Sequence, residues 1–291
     1  MAESHGEDWT IGRLLDWTTG YLREHGSESP RLDAEVLLAS AMGCERIALY
    51  TRYGEAPSDP VRSAFRELVR NRAQGAPVAY LVGHKEFFSL DFEVGPDVLI
   101  PRPDSEFVVM EFLRVTRAVT TVTAIDVGTG SGNLAIAAAH QHHGATLWAI
   151  DSSSAAIAVA ERNANRHGLA ERIHFLVGNL FDPLSPGTRV DCILSNPPYI
   201  ATAELANLPV GVRDYEPHQA LDAGPTGLEV VSRIVAQAGN FLNPGGQFII
   251  EIGSPQELAV RKLLENLEDF ELLPTIHDYA GHPRVVSARR R

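Results

Sequence analysis

Apolar positions recur every three or four residues through the first part of the chain. Leu14, Leu15, Thr18 and Leu22 mark one face of a helix predicted over residues 11–25. The same spacing runs over 31–42 and stops at Gly43, a residue suited to a helix C-cap. Residues 60–73 form a third helix. No strand alternation interrupts this region, so residues 1–85 are expected to be a small all-α domain. After Gly83 the period falls to two. Residues 86–94 alternate apolar and polar, Gly95-Pro96-Asp97 turns the chain, and Val98-Leu99-Ile100 follows. This predicts a β-hairpin linker over 86–103. Pro101-Arg102-Pro103 ends it, and Asp104 or Ser105 is placed to cap a helix over 106–117.

From Val122 onward strands and helices alternate. Strands are predicted at 122–127, 146–150, 173–177, 190–194 and 247–251, with a final pair near 270–277 and 284–288. Helices are predicted at 133–140, 154–167, 228–238 and 255–266. Such alternation implies a mostly parallel sheet covered on both faces, an α/β domain over residues 104–291.

Composition and charge remove several classes. No apolar stretch approaches the roughly 18 residues of a membrane helix, so no membrane association is expected. The start, residues 1–8, is polar and acidic without the pattern of a signal peptide. Two cysteines, Cys44 and Cys192, argue against a disulfide framework or a Cys-based zinc site and for a cytoplasmic setting. The net charge of −12 is shared: 11 basic against 16 acidic residues in 1–103, and 14 against 21 in 104–291. Neither part is a basic nucleic-acid module, and no stable nucleic-acid binding is expected. One local exception, Arg62, Arg66 and Arg70 with Arg72 close by, reads as a solvated helix face or as a contact for RNA or an acidic partner.

Candidate chemistry lies at two strand ends. Asn196-Pro197-Pro198-Tyr199 follows the strand at 190–194. Two prolines cannot continue a central ladder, so Asn196 sits at the carboxyl end of its strand, where open α/β sheets bind ligands. The quartet offers a side-chain amide, a stiff turn and an aromatic face, suited to gripping a planar NH2 group; its plain alternative is a turn. Asp126-Val127-Gly128-Thr129-Gly130-Ser131-Gly132 closes the strand at 122–127 and opens a helix. Its glycines permit a tight turn and close approach of a ligand. Asp151 ends the next strand and is placed to accept hydrogen bonds from ribose hydroxyls. The glycines are spaced G-x-G-x-G, not the G-x-G-x-x-G of dinucleotide sites. His140-Gln141-His142-His143, at a helix end before Gly144, reads as a solvated last turn, and no metal site is expected.

The glycine motif resembles the first motif of Rossmann-like S-adenosylmethionine-dependent methyltransferases. With the quartet it is similar to enzymes that methylate amides or exocyclic amines, which include DNA amino-methyltransferases and protein glutamine N5-methyltransferases. Further segments separate these. Residues 77–83, Glu86-Phe87-Phe88, Leu99-Ile100-Pro101-Arg102-Pro103-Asp104-Ser105-Glu106, Glu216-Pro217, Gly227-Leu228 and Asn243-Pro244-Gly245-Gly246 resemble the HemK/PrmC family of release factor glutamine methyltransferases. The resemblance covers nearly all of residues 10–290. It implies a seven-stranded class I methyltransferase domain joined by a β-hairpin to a helical partner-binding domain, and a monomer. It implies S-adenosyl-L-methionine as cofactor, held by Gly128, Thr129, Gly130, Ser131, Gly132, Asp151 and Asn196, with Asn179 and Leu180 beside the adenine. That family usually has an acidic residue and often an aromatic one at those last two positions. The implied reaction methylates the glutamine amide of the Gly-Gly-Gln motif in class 1 release factors. Asn196, Pro197 and Tyr199 are the implied catalytic residues, and with Pro198 they bind the substrate amide. Arg102, Asp104 and Glu106 are placed near the site or serve as turn and cap. The rival readings are methylation of another protein glutamine or of a nucleic-acid base, and a non-catalytic cofactor-binding module.

Overall fold

The computed structural model describes residues 9–291; the polar, acidic start at 1–8 lies outside the described residues. The chain divides into two compact units. The first contains the described residues up to Gly83 together with Pro209–Tyr215. Its helices are α1 (Ile11–Glu24), α2 (Pro30–Met42), α3 (Arg46–Thr51), α4 (Asp59–Ala73) and α5 (Val78–Val82). The apolar faces meet in a core that includes Leu15, Leu37, Leu38 and Phe65. Gly43 ends α2 with a left-handed φ of 59°, as its position predicted. α3, too short to show a helical period, was not visible in the sequence. Part of the arginine run is internal to this unit: Arg72 Nε donates to Asp33 Oδ2 at 2.7 Å, whereas Arg66 is exposed.

The second unit holds residues His84–Leu208 and Glu216–Arg291. Its hairpin is shorter and earlier than the pattern suggested: β1 (His84–Phe87) pairs antiparallel with β2 (Leu90–Glu93). The turn is Phe88-Ser89, with φ of 51° and 60°. Both values are left-handed, as a two-residue hairpin turn requires. Neither residue is a usual turn former there, so the turn was illegible. Val98 and Ile100 are buried as loop, not as a strand.

The main sheet is built from β3 (Val122–Val127), β4 (Ala145–Asp151), β5 (Ile173–Val177), β6 (Val190–Ser195), β7 (Leu242–Glu251), β8 (Phe270–Leu272), β9 (Ile276–His277) and β10 (Pro283–Arg290). The order is β5-β4-β3-β6-β7-β10-β8, with β9 also pairing β10. Strands β3 to β7 run parallel and β10 antiparallel. The helices are α6 (Glu106–Thr116), α7 (Asn133–Gln141), α8 (Ser154–Arg166), α9 (Val210–Arg213, in the first unit), α10 (Glu229–Ala238) and α11 (Glu257–Glu265). Right-handed crossovers run outward in opposite directions from β3 and β6, so α7 and α8 cover one face while α10 and α11 cover the other. The strand order reverses between β3 and β6, and the crevice at that switch point is the expected ligand site. Ile125, Val127, Ile193, Phe248 and Ile250 form the centre of the core beneath it. Cys192 lies in β6 with its thiol pushed up to about 12 by burial, a packed and unreactive sulfur.

Candidate active site

The glycine loop is shaped by the carboxylate just before it. Asp126, fully buried, accepts Thr129 Oγ1–H at 2.6 Å and the Ala135 amide at 3.2 Å on one oxygen, Oδ2. Ala135 lies in the first turn of α7, so Asp126 caps that helix from beneath the loop. Its other oxygen, Oδ1, is buried with no partner among the described residues. Burial pushes this carboxyl up to about 7, and the nearby Asp151 charge adds to the rise. Gly132 turns into α7 with φ of 82°, and a Cβ there would meet Ile136 Cδ1 at 2.9 Å and Ala160 Cβ at 3.1 Å. Asp151 closes β4 and holds the loop from the side. Its Oδ2 accepts the Gly130 amide and its Oδ1 the Ser153 amide, each at 2.9 Å. Burial holds Asp151 above the ordinary carboxylate value.

β6 delivers the quartet beside this loop. Ser195 Oγ donates to Val127 O at 2.7 Å, tying the ends of β6 and β3 together. Asn196 Nδ2 donates to Ser105 Oγ at 2.8 Å. Its Oδ1 has no hydrogen-bond partner among the described residues. The Tyr199 carbonyl accepts Gln256 Nε2 at 2.9 Å, and its phenol is pushed up to about 12 by burial and by the neighbouring Glu251.

A cavity of about 450 Å³ joins the two strand ends. Gly128, Thr129, Gly130, Ser131, Asp151, Asn179, Leu180, Asn196, Pro197 and Pro198 all line it. Gly132 and Tyr199 are not among its lining residues: Gly132 lies in the helix packing, and Tyr199 packs toward Gly253, whose Cβ would come within 3.3 Å of the ring. Asn179 Nδ2 donates to Asp182 Oδ2 at 3.2 Å, which leaves its carbonyl as the acceptor. Leu180 adopts a left-handed φ of 53° at the wall, a conformation that costs a non-glycine residue about 1–2 kcal/mol.

The Pro-Arg-Pro segment is latched in place. Arg102 pairs with buried Glu216, whose Oε2 also accepts the Ile100 amide at 3.2 Å. Asp104 pairs with Arg284 at 3.1 Å, and Glu106 Oε1 accepts the Phe88 amide at 3.0 Å. Ser105 stands at the start of α6 but makes no cap bond. Its hydroxyl serves Asn196. At the far end of α7, Arg172 donates to the carbonyls of Ala139, His142 and His143, at 2.6, 3.2 and 2.9 Å, and so closes the last turn of the helix. No group of metal-binding side chains occurs among the described residues.

Sequence reasoning assigned no contact to Asn163, an apparent mid-helix residue. It is fully buried and ties the hairpin to the glycine loop: Nδ2 donates to Ser131 O at 2.9 Å and Glu93 O at 3.0 Å, and Oδ1 accepts the Glu93 amide at 2.7 Å. A buried polar residue within α8 carried no periodic signal that distinguished it. Asp126 was visible as an acid ending an apolar strand, and that was its signal.

Comparison with known proteins agrees with this geometry. The PrmC N-terminal domain family matches residues 13–83, and the methyltransferase small domain family matches residues 105–208. The release factor glutamine methyltransferase of Rhodopirellula baltica is 44% identical over 296 residues, covering 100% of each chain. That of Geobacter sulfurreducens is 44% identical over 283 residues, covering 97% of this chain and 98% of its own. Among solved structures, a methyltransferase from Pyrococcus furiosus shares the fold with a TM-score of 0.52 at 19% identity, over 78% of this chain and 98% of that one. The helical segment, the sheet with its switch-point cavity and these full-length relatives together show that the chain belongs to the release factor glutamine methyltransferase family.

Proposed function

We propose that the chain transfers a methyl group from S-adenosyl-L-methionine to the side-chain amide nitrogen of the glutamine in the Gly-Gly-Gln motif of class 1 release factors. The observation that carries this reading is the Asn196 amide at the cavity wall, with Nδ2 tied to Ser105 and Oδ1 left to accept.

The cavity suits the cofactor on its own chemistry. Its volume falls in the range of small-molecule sites, and it combines apolar wall with a few polar groups. Asp151 is placed for ribose hydroxyls, and Asn179 O with Leu180 for the adenine. The buried Asp126 and Asp151 carboxyls, both raised by burial, lie under and beside the glycine loop. A cationic ligand there relieves the cost of their charge. When bound, the cofactor supplies a methyl group on a positively charged sulfonium sulfur.

The residues of the chain do the rest. An amide nitrogen is a poor nucleophile because its lone pair is delocalised. Asn196 Oδ1 and the Pro197 carbonyl accept the two N–H groups of the substrate amide, fixing the nitrogen and drawing it toward a pyramidal geometry. Proximity then supplies much of the rate. The methylated nitrogen loses one proton to water, so no strong base is required. Pro198 packs along the substrate and Tyr199 supports the turn. The helical unit, which ends at Gly83, holds the release factor, with Arg66 as an exposed contact, and the methyltransferase unit that begins with the hairpin carries the chemistry. The enzyme acts as a monomer in the cytoplasm, where translation factors are modified; among the described residues no helix is long and apolar enough to cross a membrane.

The test is incubation of the full chain with a class 1 release factor and S-adenosylmethionine, followed by peptide mass spectrometry. One added methyl group, about 14 Da, on the Gly-Gly-Gln glutamine is expected. Transfer to DNA with none to the release factor would overturn the reading.

A further inference from the structure

Ser105 stands where a serine ordinarily caps a helix, yet its hydroxyl makes no cap bond. The residue is 1% exposed and instead accepts Asn196 Nδ2–H at 2.8 Å. A hydroxyl that accepts from one neighbour still has its own proton to place. The carboxyl of Glu251, buried at the end of β7, lies beside the Ser105 hydroxyl, which favours its charged form. Burial raises that carboxyl to about 7, so above that pH it is a carboxylate, which only accepts and gives the Ser105 proton a place to go. Asn196 Nδ2–H donates to Ser105 Oγ, which leaves the Ser105 proton free to turn to Glu251 and Asn196 Oδ1 free to accept. Shape alone does not choose between the two ends of an asparagine amide, because they are nearly isosteric. Reversed, the amide would present N–H groups to the N–H groups of the substrate.

We propose that Ser105 and Glu251 are positioning residues that orient the Asn196 amide with its oxygen toward the substrate nitrogen and thereby set turnover. The inference rests on the amide-methylating reading above. Neither residue is asked to exchange a proton with the substrate; both act through Asn196. Without the Glu251 acceptor, the Ser105 proton is free to turn to Asn196 Oδ1 and favour the reversed amide.

The experiment measures kcat and KM on a class 1 release factor, with cofactor affinity and thermal melting as controls, for the full chain and four variants. Ser105→Ala is expected to lower kcat about tenfold, the effect of one net orienting hydrogen bond. Its cofactor affinity and KM should stay within about twofold, since proper folding and the rest of the interface persist. Ser105→Thr, which keeps the hydroxyl, should restore most of the turnover. Glu251→Leu should lower kcat at least as far as Ser105→Ala, and the double variant should lose no more than Glu251→Leu alone, because both changes act on one amide. Equal loss in Ser105→Ala and Ser105→Thr, losses that multiply in the double variant, or cofactor affinity falling in step with kcat would overturn the proposal. Should Glu251→Leu fail to fold, the Ser105→Ala and Ser105→Thr pair decides. A wild-type chain that methylates another amide or amine, and not the release factor, refutes the substrate reading alone; the same variants measured on that acceptor then decide the positioning.

Discussion

Replacing Asp126 by Asn should stabilise the cofactor-free protein at alkaline pH while weakening the site. Asp126 is fully buried, one of its oxygens has no partner among the described residues, and burial raises its carboxyl from the ordinary 3.8 to about 7. Between about pH 4 and 7 the folded state keeps a proton that the unfolded chain releases. Stability therefore falls as pH rises through that window, and the loss is complete above it. At about 1.4 kcal/mol per pH unit, the three-unit window corresponds to a ceiling of roughly 4 kcal/mol. Asn retains an oxygen for Thr129 Oγ1 and the Ala135 amide, but its NH2 needs a partner where Oδ1 now has none, at a cost of about 1–2 kcal/mol. A net gain of about 2 kcal/mol at pH 8 follows, or roughly 4–8 °C in Tm for a domain of this size. Near pH 4 the variant should instead be about 1–2 kcal/mol less stable than wild type, because the wild-type carboxyl is then neutral and only the cost of the unpartnered NH2 remains. Glu251, also pushed up to about 7 by burial, adds a pH slope of the same sign that the variant retains. The assay is thermal melting of cofactor-free wild type and Asp126→Asn from pH 4.5 to 8.5, with calorimetric binding of S-adenosylmethionine. A variant that melts below wild type at pH 8 and keeps the full wild-type slope would show that Asp126 carries no buried-charge penalty. Unchanged cofactor affinity would remove it from the electrostatics of the site.

Other changes separate chemistry from binding and from folding. Asn196→Ala should lower kcat by at least about 100-fold while cofactor affinity falls far less, since it removes an acceptor aimed at the reacting nitrogen; near-normal turnover in a methyl-transfer assay would refute the amide grip. Asp151→Ala should weaken cofactor binding by about tenfold or more, because the proposed ribose acceptor and the anchor of the Gly130 amide are removed together; equal affinity by calorimetry would move the ribose contact elsewhere. Asn163→Ala should cost about 2–4 kcal/mol in denaturant unfolding, since it leaves Ser131 and Glu93 backbone groups without their partner; a loss under about 0.5 kcal/mol would mean that water or a shift of the hairpin replaces those bonds.

Periodicity alone determined most of the elements, because the parallel strands are buried on both faces and the helices are amphipathic. β3, for instance, runs over the predicted residues 122–127, and Asn196 follows the end of β6 as expected. The lining of the cavity was legible where residue type and strand end coincide: most of the glycine loop, Asp151 and the first three residues of the quartet. What stayed hidden depends on partners far away in sequence or on backbone conformation without a residue signature. The hairpin turn falls on Phe88-Ser89, where Glu106, distant in sequence, accepts the Phe88 amide. Pro209–Tyr215 clusters with the helices of the first unit, where Val210 packs on Gly75 and Tyr215 Oη donates to Gln74 O at 3.3 Å; no local pattern announces a contact across more than 130 residues. Ser105 looked like a helix cap, and only the tertiary structure brought Asn196 and Glu251 to it from two other strand ends. The sequence by itself determined which groups are available, since local propensity and burial pattern act along the chain. Which way the Asn196 amide points was decided by the tertiary structure, since a hydrogen bond takes its direction from its partner.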